Sequence, residues 1–237
     1  MPAHAEVVIE GIVRPGVREP EGPFGEFTGY SKGAEGPAPV FDVTAITHRR
    51  DPIYRHMQST RFTDHQPLVS LPMEASLFRR LRDIHGHTEI HDVYIPPWVT
   101  MFTVFVQMTP RWDGQARDVL LGVLASPYLH PKIVIAVDED VNVYDPREVF
   151  WAMSTRVNPE RDVIVIPHER IHPLDISAPN VDPAEVTVMR VGGKMAIDAT
   201  KPPLWRKAER AHFDRVKPSG TDDPAVQELL KRLASMA

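Results

Sequence analysis

The sequence contains no cysteine, which excludes disulfides, thiolate nucleophiles and cysteine-ligated zinc within this chain. It has no surplus of positive charge. The net charge is -5 and the pI about 6.1, whereas a nucleic-acid footprint needs a basic patch. No apolar run approaches the length of a membrane span. Met1 to Glu6 is short and polar, without the apolar core of a signal peptide. There is no internal repeat. These absences lead to the expectation of a soluble cytoplasmic protein.

What is present is a chain of 237 residues, 42% hydrophobic and 25% charged, enough for one large or two small domains with real cores. Its 24 prolines cluster at segment ends, with apolar runs between them. That pattern reads as a loop-rich globular protein rather than a disordered one.

The stretch Glu21-Gly-Pro-Phe-Gly-Glu26-Phe-Thr-Gly-Tyr30 organises the reading. Glu21 and Glu26 stand five residues apart, with Gly22, Pro23 and Gly25 between them. Proline fixes its own backbone angle and glycine reaches angles other residues avoid, so a helix is disfavoured here. The expectation is a tight, rigid loop that aims two carboxylates toward one point. By spacing alone the same stretch also fits an ordinary turn.

Along the chain, Glu6 to Val13 is a short β-branched strand candidate that begins almost at the first residue. Such a strand must pair with a later one or with another chain. Arg14 to Glu21 reads as a Pro/Gly loop, and Pro39 to His48 as a second strand. Pro72 to Ile84 reads as a helix, with Pro72 in its first turn, Met73, Leu77, Leu81 and Ile84 on one face, and Gly86 ending it. Val93 to Ile95 is a short strand, broken by Pro96-Pro97, and Val99 to Gln107 a stronger one. A helix over Gln115 to Ala125 precedes Lys132 to Val137, a continuous apolar run of the kind buried on both faces of a sheet. Asp145 caps a helix opened by Pro146, and Asp162 to Ile166 is again a strand. Ala178 to Lys207 reads as loop-rich, and Pro224 to Met236 as an amphipathic helix. The alternation from residue 93 onward predicts an α/β layer, with a domain boundary near Pro96-Pro97.

Four further clusters read as structural rather than functional. His85, His87 and His91 match no closed zinc spacing and read as a polar turn after a helix. Asp138-Glu-Asp140-Val-Asn142 lacks the glycine and terminal glutamate of a calcium loop and reads as a charged strand edge. Val191-Gly-Gly-Lys194 lacks the frame of a phosphate loop and reads as a turn that lets two backbones approach. Asp64 and His65 are adjacent, so they do not face each other as a dyad.

Taken together, the sequence resembles the UbiD family of reversible decarboxylases, which use prenylated flavin mononucleotide. The resemblance is carried by Glu21 to Tyr30, Val137 to Tyr144, Phe150-Trp-Ala-Met-Ser-Thr-Arg156 and Gly192 to Thr200, in the family's order and at compatible spacing. It implies an α+β fold: residues 1–95 as the second half of a split β-barrel flavin domain, 96–210 as an α/β layered domain, and 211–237 as a C-terminal helix for oligomer contacts. It implies that Glu21 and Glu26 flank an arginine in a Glu-Arg-Glu network, with Glu26 the proton donor. Glu26 and Phe27 would border the flavin. More loosely, Gln66, Ser70, His172 and Leu174 would line the substrate pocket, and His172 would suit a hydroxylated or otherwise polar acid.

Family members are usually much longer. The part without a counterpart carries the network's arginine, the ligands of a divalent metal (manganese or magnesium) and of K+, and most flavin phosphate contacts. With Met1 at the start of the sequence, the expectation is a naturally split enzyme: a second subunit supplies those groups, and the heterodimer assembles further. The substrate would be an aromatic or α,β-unsaturated carboxylic acid. The competing reading is a non-catalytic scaffold or regulatory subunit of a UbiD-like complex. A carboxylate-pair hydrolase ranks last, because nothing else in the chain supplies a nucleophile.

Overall fold

A run of β-branched residues opens the chain and forms β1 (Val7–Glu21), which pairs antiparallel with β2 (Glu35–His48). The computed structural model describes residues 3–31, 35–58, 60–61, 64–178, 190–216, 220 and 223–234. β1 runs eight residues beyond the expected Val13, through the stretch read as a loop. Its register breaks between Val13 and Arg18, where Gly16 takes a positive φ, and resumes at Arg18 opposite Pro39. The turn-forming residues are thus absorbed in an irregularity of the ribbon instead of ending it. Gly11 is required by close approach: a Cβ there would collide with the Asp42 carbonyl oxygen and the Phe41 ring. Ile9, Ile12, Val13, Phe41, Val43 and Ile46 are each between 45% and 60% exposed, so no layer covers the ribbon among the described residues. The two strands do not close into a barrel there.

The rest of the chain is a five-stranded sheet ordered β3 (Ile90–Tyr94), β4 (Thr103–Met108), β5 (Ile133–Val137), β7 (Val191–Ala199), β6 (Val163–Arg170). β4, β5 and β7 are parallel, and β3 and β6 flank them antiparallel. The apolar run of β5 is buried on both faces, as its composition requires. Val134 and Ala136 join one core with Val104, Val106 and Ala196, beneath α1 (His65–Arg79) and α2 (Gln115–Leu124). Ile135 and Val137 face a second core with Phe105 and Ile197, beneath α3 (Pro146–Arg156). Asp145 caps α3 through Arg147 N–H, as expected. A short α4 (Pro159–Asp162) leads into β6.

Three local readings are corrected. The helix predicted from Pro72 begins at His65, so Pro67 occupies its first turn and Pro72 lies inside it. Met73, Leu77 and Leu81 are buried as expected, but the helix widens into a π-helical turn over Arg80–Ile84 and leaves Ile84 73% exposed. The Gly192-Gly193 pair lies within β7 rather than in a turn, because a Cβ at Gly192 would come 2.7 Å from the Ile171 side chain. α1 and β3, which precede Pro96-Pro97, pack in the same unit as β4. Of the segment read as loop-rich, residues 179–189 lie outside the described residues. α5 (Lys207–Ala211), not foreseen, follows β7, and α6 (Pro224–Ala234) is the expected amphipathic helix. No helix among the described residues is long and apolar enough to cross a membrane.

Candidate functional site

Glu21 is the last residue of β1. Gly22 follows with a positive φ, and the Gly22–Pro23 peptide is cis. Gly25 bridges to Ser31, Glu26 N–H donates to the Tyr30 carbonyl at 3.0 Å, and Gly29 N–H donates to the Glu26 carbonyl at 2.8 Å. The stretch is therefore a closed turn held by its own backbone. Glu21 is exposed and Glu26 half-buried.

Phe27, next to Glu26, anchors the turn. Its side chain is 5% exposed and meets the Phe102 ring at 5.4 Å and the His172 ring at 5.3 Å, both edge-on. His65 and His130 complete the ring cluster at 6.5 and 6.1 Å, and the His130 and His172 rings lie 4.4 Å apart. Gln66, fully buried in the first turn of α1, donates through Nε2 to the Phe27 carbonyl at 3.1 Å and to the Thr60 carbonyl at 3.3 Å. Ser70 is buried one helical turn further on. Leu174 packs against the core, and its N–H donates to His172 Nδ1 at 3.1 Å. An accepting Nδ1 leaves the proton of a neutral His172 on Nε2.

The structure thus gathers Phe27, Gln66, His172 and Leu174 around one point beside Glu26, with Ser70 one turn away. Phe102 and His130, which pattern reading did not single out, stand at the same point. Phe102 immediately precedes β4 and His130 lies three residues before β5. Several polar atoms here are buried without partners: Gln66 Oε1, His130 Nδ1 and the hydroxyl of neighbouring Thr28. Burial pushes the His130 pKa below the ordinary histidine value. Buried polar groups are normally hydrogen-bonded, so these unsatisfied atoms set the cluster apart from an ordinary apolar core.

The other clusters have structural partners. Asp138 is fully buried and held by Arg210 at 2.5 Å, while Asp140 is held by Arg156 at 2.9 Å and Lys201 at 3.1 Å. Lys194 Nζ donates to the Leu124 carbonyl at 2.9 Å. Asp64 pairs with Arg55 while His65 packs against Phe27. His91 Nε2 hydrogen-bonds Thr109 Oγ1 at 2.7 Å. Among the described residues no group of three or more His, Asp or Glu side chains is placed to hold a metal.

Residues 1–61 match the 3-octaprenyl-4-hydroxybenzoate carboxy-lyase Rift-related domain, and residues 66–199 match the C-terminal domain of the same carboxy-lyase. The chain belongs to the UbiD family. It is 34% identical to the UbiD-class enzyme HmfF of Pelotomaculum thermopropionicum, solved in complex with FMN, with a TM-score of 0.77 over 96% of this chain and 48% of that one. It is 33% identical to the vanillic acid decarboxylase of Sedimentibacter hydroxybenzoicus in its closed form, with a TM-score of 0.75 over 99% of this chain and 47% of that one. That enzyme was also solved in an open form with its ShVdcD component truncated. For the 3,4-dihydroxybenzoic acid decarboxylase of Klebsiella pneumoniae the values are 30%, 0.72, 90% and 45%. The chain spans less than half the length of each of these three chains. In UbiD terms the candidate site lies at a domain junction. Glu21, Glu26 and Phe27 come from the Rift-related part, and Gln66, Ser70, Phe102, His130, His172 and Leu174 from the C-terminal part.

Proposed function

We propose that this chain is the acid-bearing subunit of a UbiD-like enzyme that reversibly decarboxylates an aromatic or α,β-unsaturated carboxylic acid. The observation that carries this reading is the backbone-closed turn with Glu26 at its start and Phe27 seated in a ring cluster whose polar atoms are unsatisfied. A turn kept only for assembly has no need of an acid one residue from a ring seated in such a cluster.

Glu26 and Phe27 would border prenylated FMN, which when bound would supply the electron sink for the carbon that loses CO2. As the carbon–carbon bond breaks, the electron pair stays with the substrate. Glu26 delivers its proton to that carbon and becomes a carboxylate; in the carboxylation direction it takes the proton back. Glu21 shares with Glu26 an arginine contributed by the partner, which fixes both acids through charge-assisted bonds. Phe27 and Phe102 exclude water. Gln66 Oε1 offers an acceptor to a hydroxyl or similar group on the substrate, beside the His172 ring.

The exposed apolar side chains of the β1–β2 ribbon support a second polypeptide that covers them, since proteins avoid leaving strand edges and apolar faces open. That partner carries the first half of the barrel, the arginine, most flavin phosphate contacts and the ligands for K+ and for manganese or magnesium. Val226, Leu229, Leu230 and Leu233 of α6 are exposed and form the surface through which heterodimers associate.

The test is to isolate the chain from its native host with whatever binds it and record the absorption spectrum. A co-purifying subunit and a flavin spectrum are expected. A partner complex that takes up no flavin would make the chain a scaffold.

A further inference from the structure

A cavity of about 340 Å³ lies at the opposite end of the five-stranded sheet from Glu26 and Phe27. Phe102 and His130 precede β4 and β5, at the amino ends of the parallel strands. The cavity is lined instead by Pro110, which follows β4, by Asp198 and Thr200 at the end of β7, and by Arg117 in the first turn of α2. Ligands of open α/β sheets characteristically bind outside the carboxyl ends of the parallel strands. The UbiD site described above does not use that end.

The charges lining the cavity are not equivalent. Arg206 is held by Asp113 and Glu209, both at 3.1 Å. Arg161 is held by Asp162 at 2.7 Å, and Arg156 and Lys201 converge on Asp140. Two charges are left over among the described residues. Arg117, exposed on α2, has no carboxylate partner. Asp198 has no cation within ion-pair distance among the described residues, the Arg161 charge acting on it only from further off; its Oδ1 accepts from Thr200 N–H at 3.0 Å and Thr200 Oγ1 at 2.7 Å. Burial pushes the Asp198 carboxyl up from its ordinary value. A shielded carboxylate without a direct ion-pair partner is costly, and such groups are ordinarily paired. No trio of His, Asp or Glu is placed for a metal among the described residues, so an organic cation suits Asp198 better. Ala116, Leu120, Ile164 and Phe213 give the cavity an apolar wall.

We propose that this cavity binds a small zwitterion with an apolar body, of the amino-acid class. Its ammonium pairs with Asp198, its carboxylate with Arg117, and its body lies along Leu120, Ile164 and Phe213. The volume is within the range of about 300–1,000 Å³ typical of small-molecule sites. The site is independent of the proposed decarboxylation and lies apart from its residues.

Titration calorimetry on the full chain tests this with three probes: phenylalanine, 3-phenylpropanoate, which lacks the amine, and 2-phenylethylamine, which lacks the carboxylate. Phenylalanine is expected to bind, and each truncated probe to bind at least about tenfold more weakly. Arg117→Ala is expected to reduce phenylalanine to the level of the amine and leave the amine unchanged. Asp198→Asn is expected to reduce it to the level of the acid. Should Asp198→Asn fail to fold, the three probes with wild type and Arg117→Ala still decide, since Arg117 is an exposed helix residue. No heat with phenylalanine, equal binding of all three probes, or an Arg117→Ala protein that binds phenylalanine as well as wild type would each overturn the proposal.

Discussion

The side-chain amide of Gln66 donates to the backbone carbonyl of Phe27 at 3.1 Å, with Gln66 fully buried. This bond joins the acid-bearing turn to the first turn of α1, across the junction of the two UbiD domains. The position of Glu26, one residue before Phe27, is therefore set by the C-terminal part of the chain.

Gln66→Met keeps the volume and removes the donor. The Phe27 carbonyl is left buried and unsatisfied, a cost of about 1–3 kcal/mol, offset in part by removing the orphaned Oε1. Urea denaturation is expected to show a loss of about 1–2 kcal/mol. Hydrogen exchange of the Glu26 and Gly29 amides, which close the turn, is expected to quicken.

His130 gives a pH dependence of definite sign. Burial lowers its pKa from the ordinary 6.5, so the unfolded chain binds the proton more readily than the folded one. Stability is therefore full above the unfolded value and falls as pH drops through it, levelling off below the folded pKa. His87 is also lowered by burial and contributes with the same sign. Denaturation midpoints are expected to fall between about pH 7 and pH 5, and His130→Phe to flatten that fall while His87 retains its share.

Much of this architecture is legible in the sequence, for identifiable reasons. The apolar run of β5, the Asp145-Pro146 start of α3 and the Pro/Gly-constrained acid turn each carry their cause locally. What was missed depends on distant partners. Two prolines, Pro67 and Pro72, each suit a first helical turn, and only packing shows which one is used. Gly192-Gly193 looks like a turn until Ile171 is seen to need the space. His130 looks like any loop histidine until Phe27, 103 positions earlier, closes over it. The acidic run at Asp138 is conspicuous, but Arg210 lies 72 positions away.

That acidic run makes a quantitative contrast. Burial works against the charged form of Asp140, yet the bonds and charges of Arg156 and Lys201 outweigh it and hold the carboxyl below its ordinary value. The Arg156 side chain is 1% exposed. Asp140→Asn strands a buried guanidinium and is expected to cost about 3–5 kcal/mol. Arg215, also bound to Asp140, is 39% exposed, and Arg215→Ala is expected to cost less than about 1 kcal/mol. Urea denaturation of both variants checks the ranking.

Gly11→Ala addresses the ribbon. The added methyl group meets the Asp42 carbonyl and the Phe41 ring, so β1 and β2 must separate locally. The five-stranded sheet lies elsewhere in the chain and is expected to keep its thermal transition. Association with the partner subunit, measured by calorimetry, is expected to weaken by about tenfold or more.

The central claim is that Glu26 hands the proton to the substrate carbon. Its most direct test is hydrogen–deuterium exchange at that carbon of the decarboxylated product, followed by NMR in the flavin-loaded partner complex. Glu26→Gln is expected to abolish exchange while flavin and product still bind. Exchange at the wild-type rate in that variant would contradict the account.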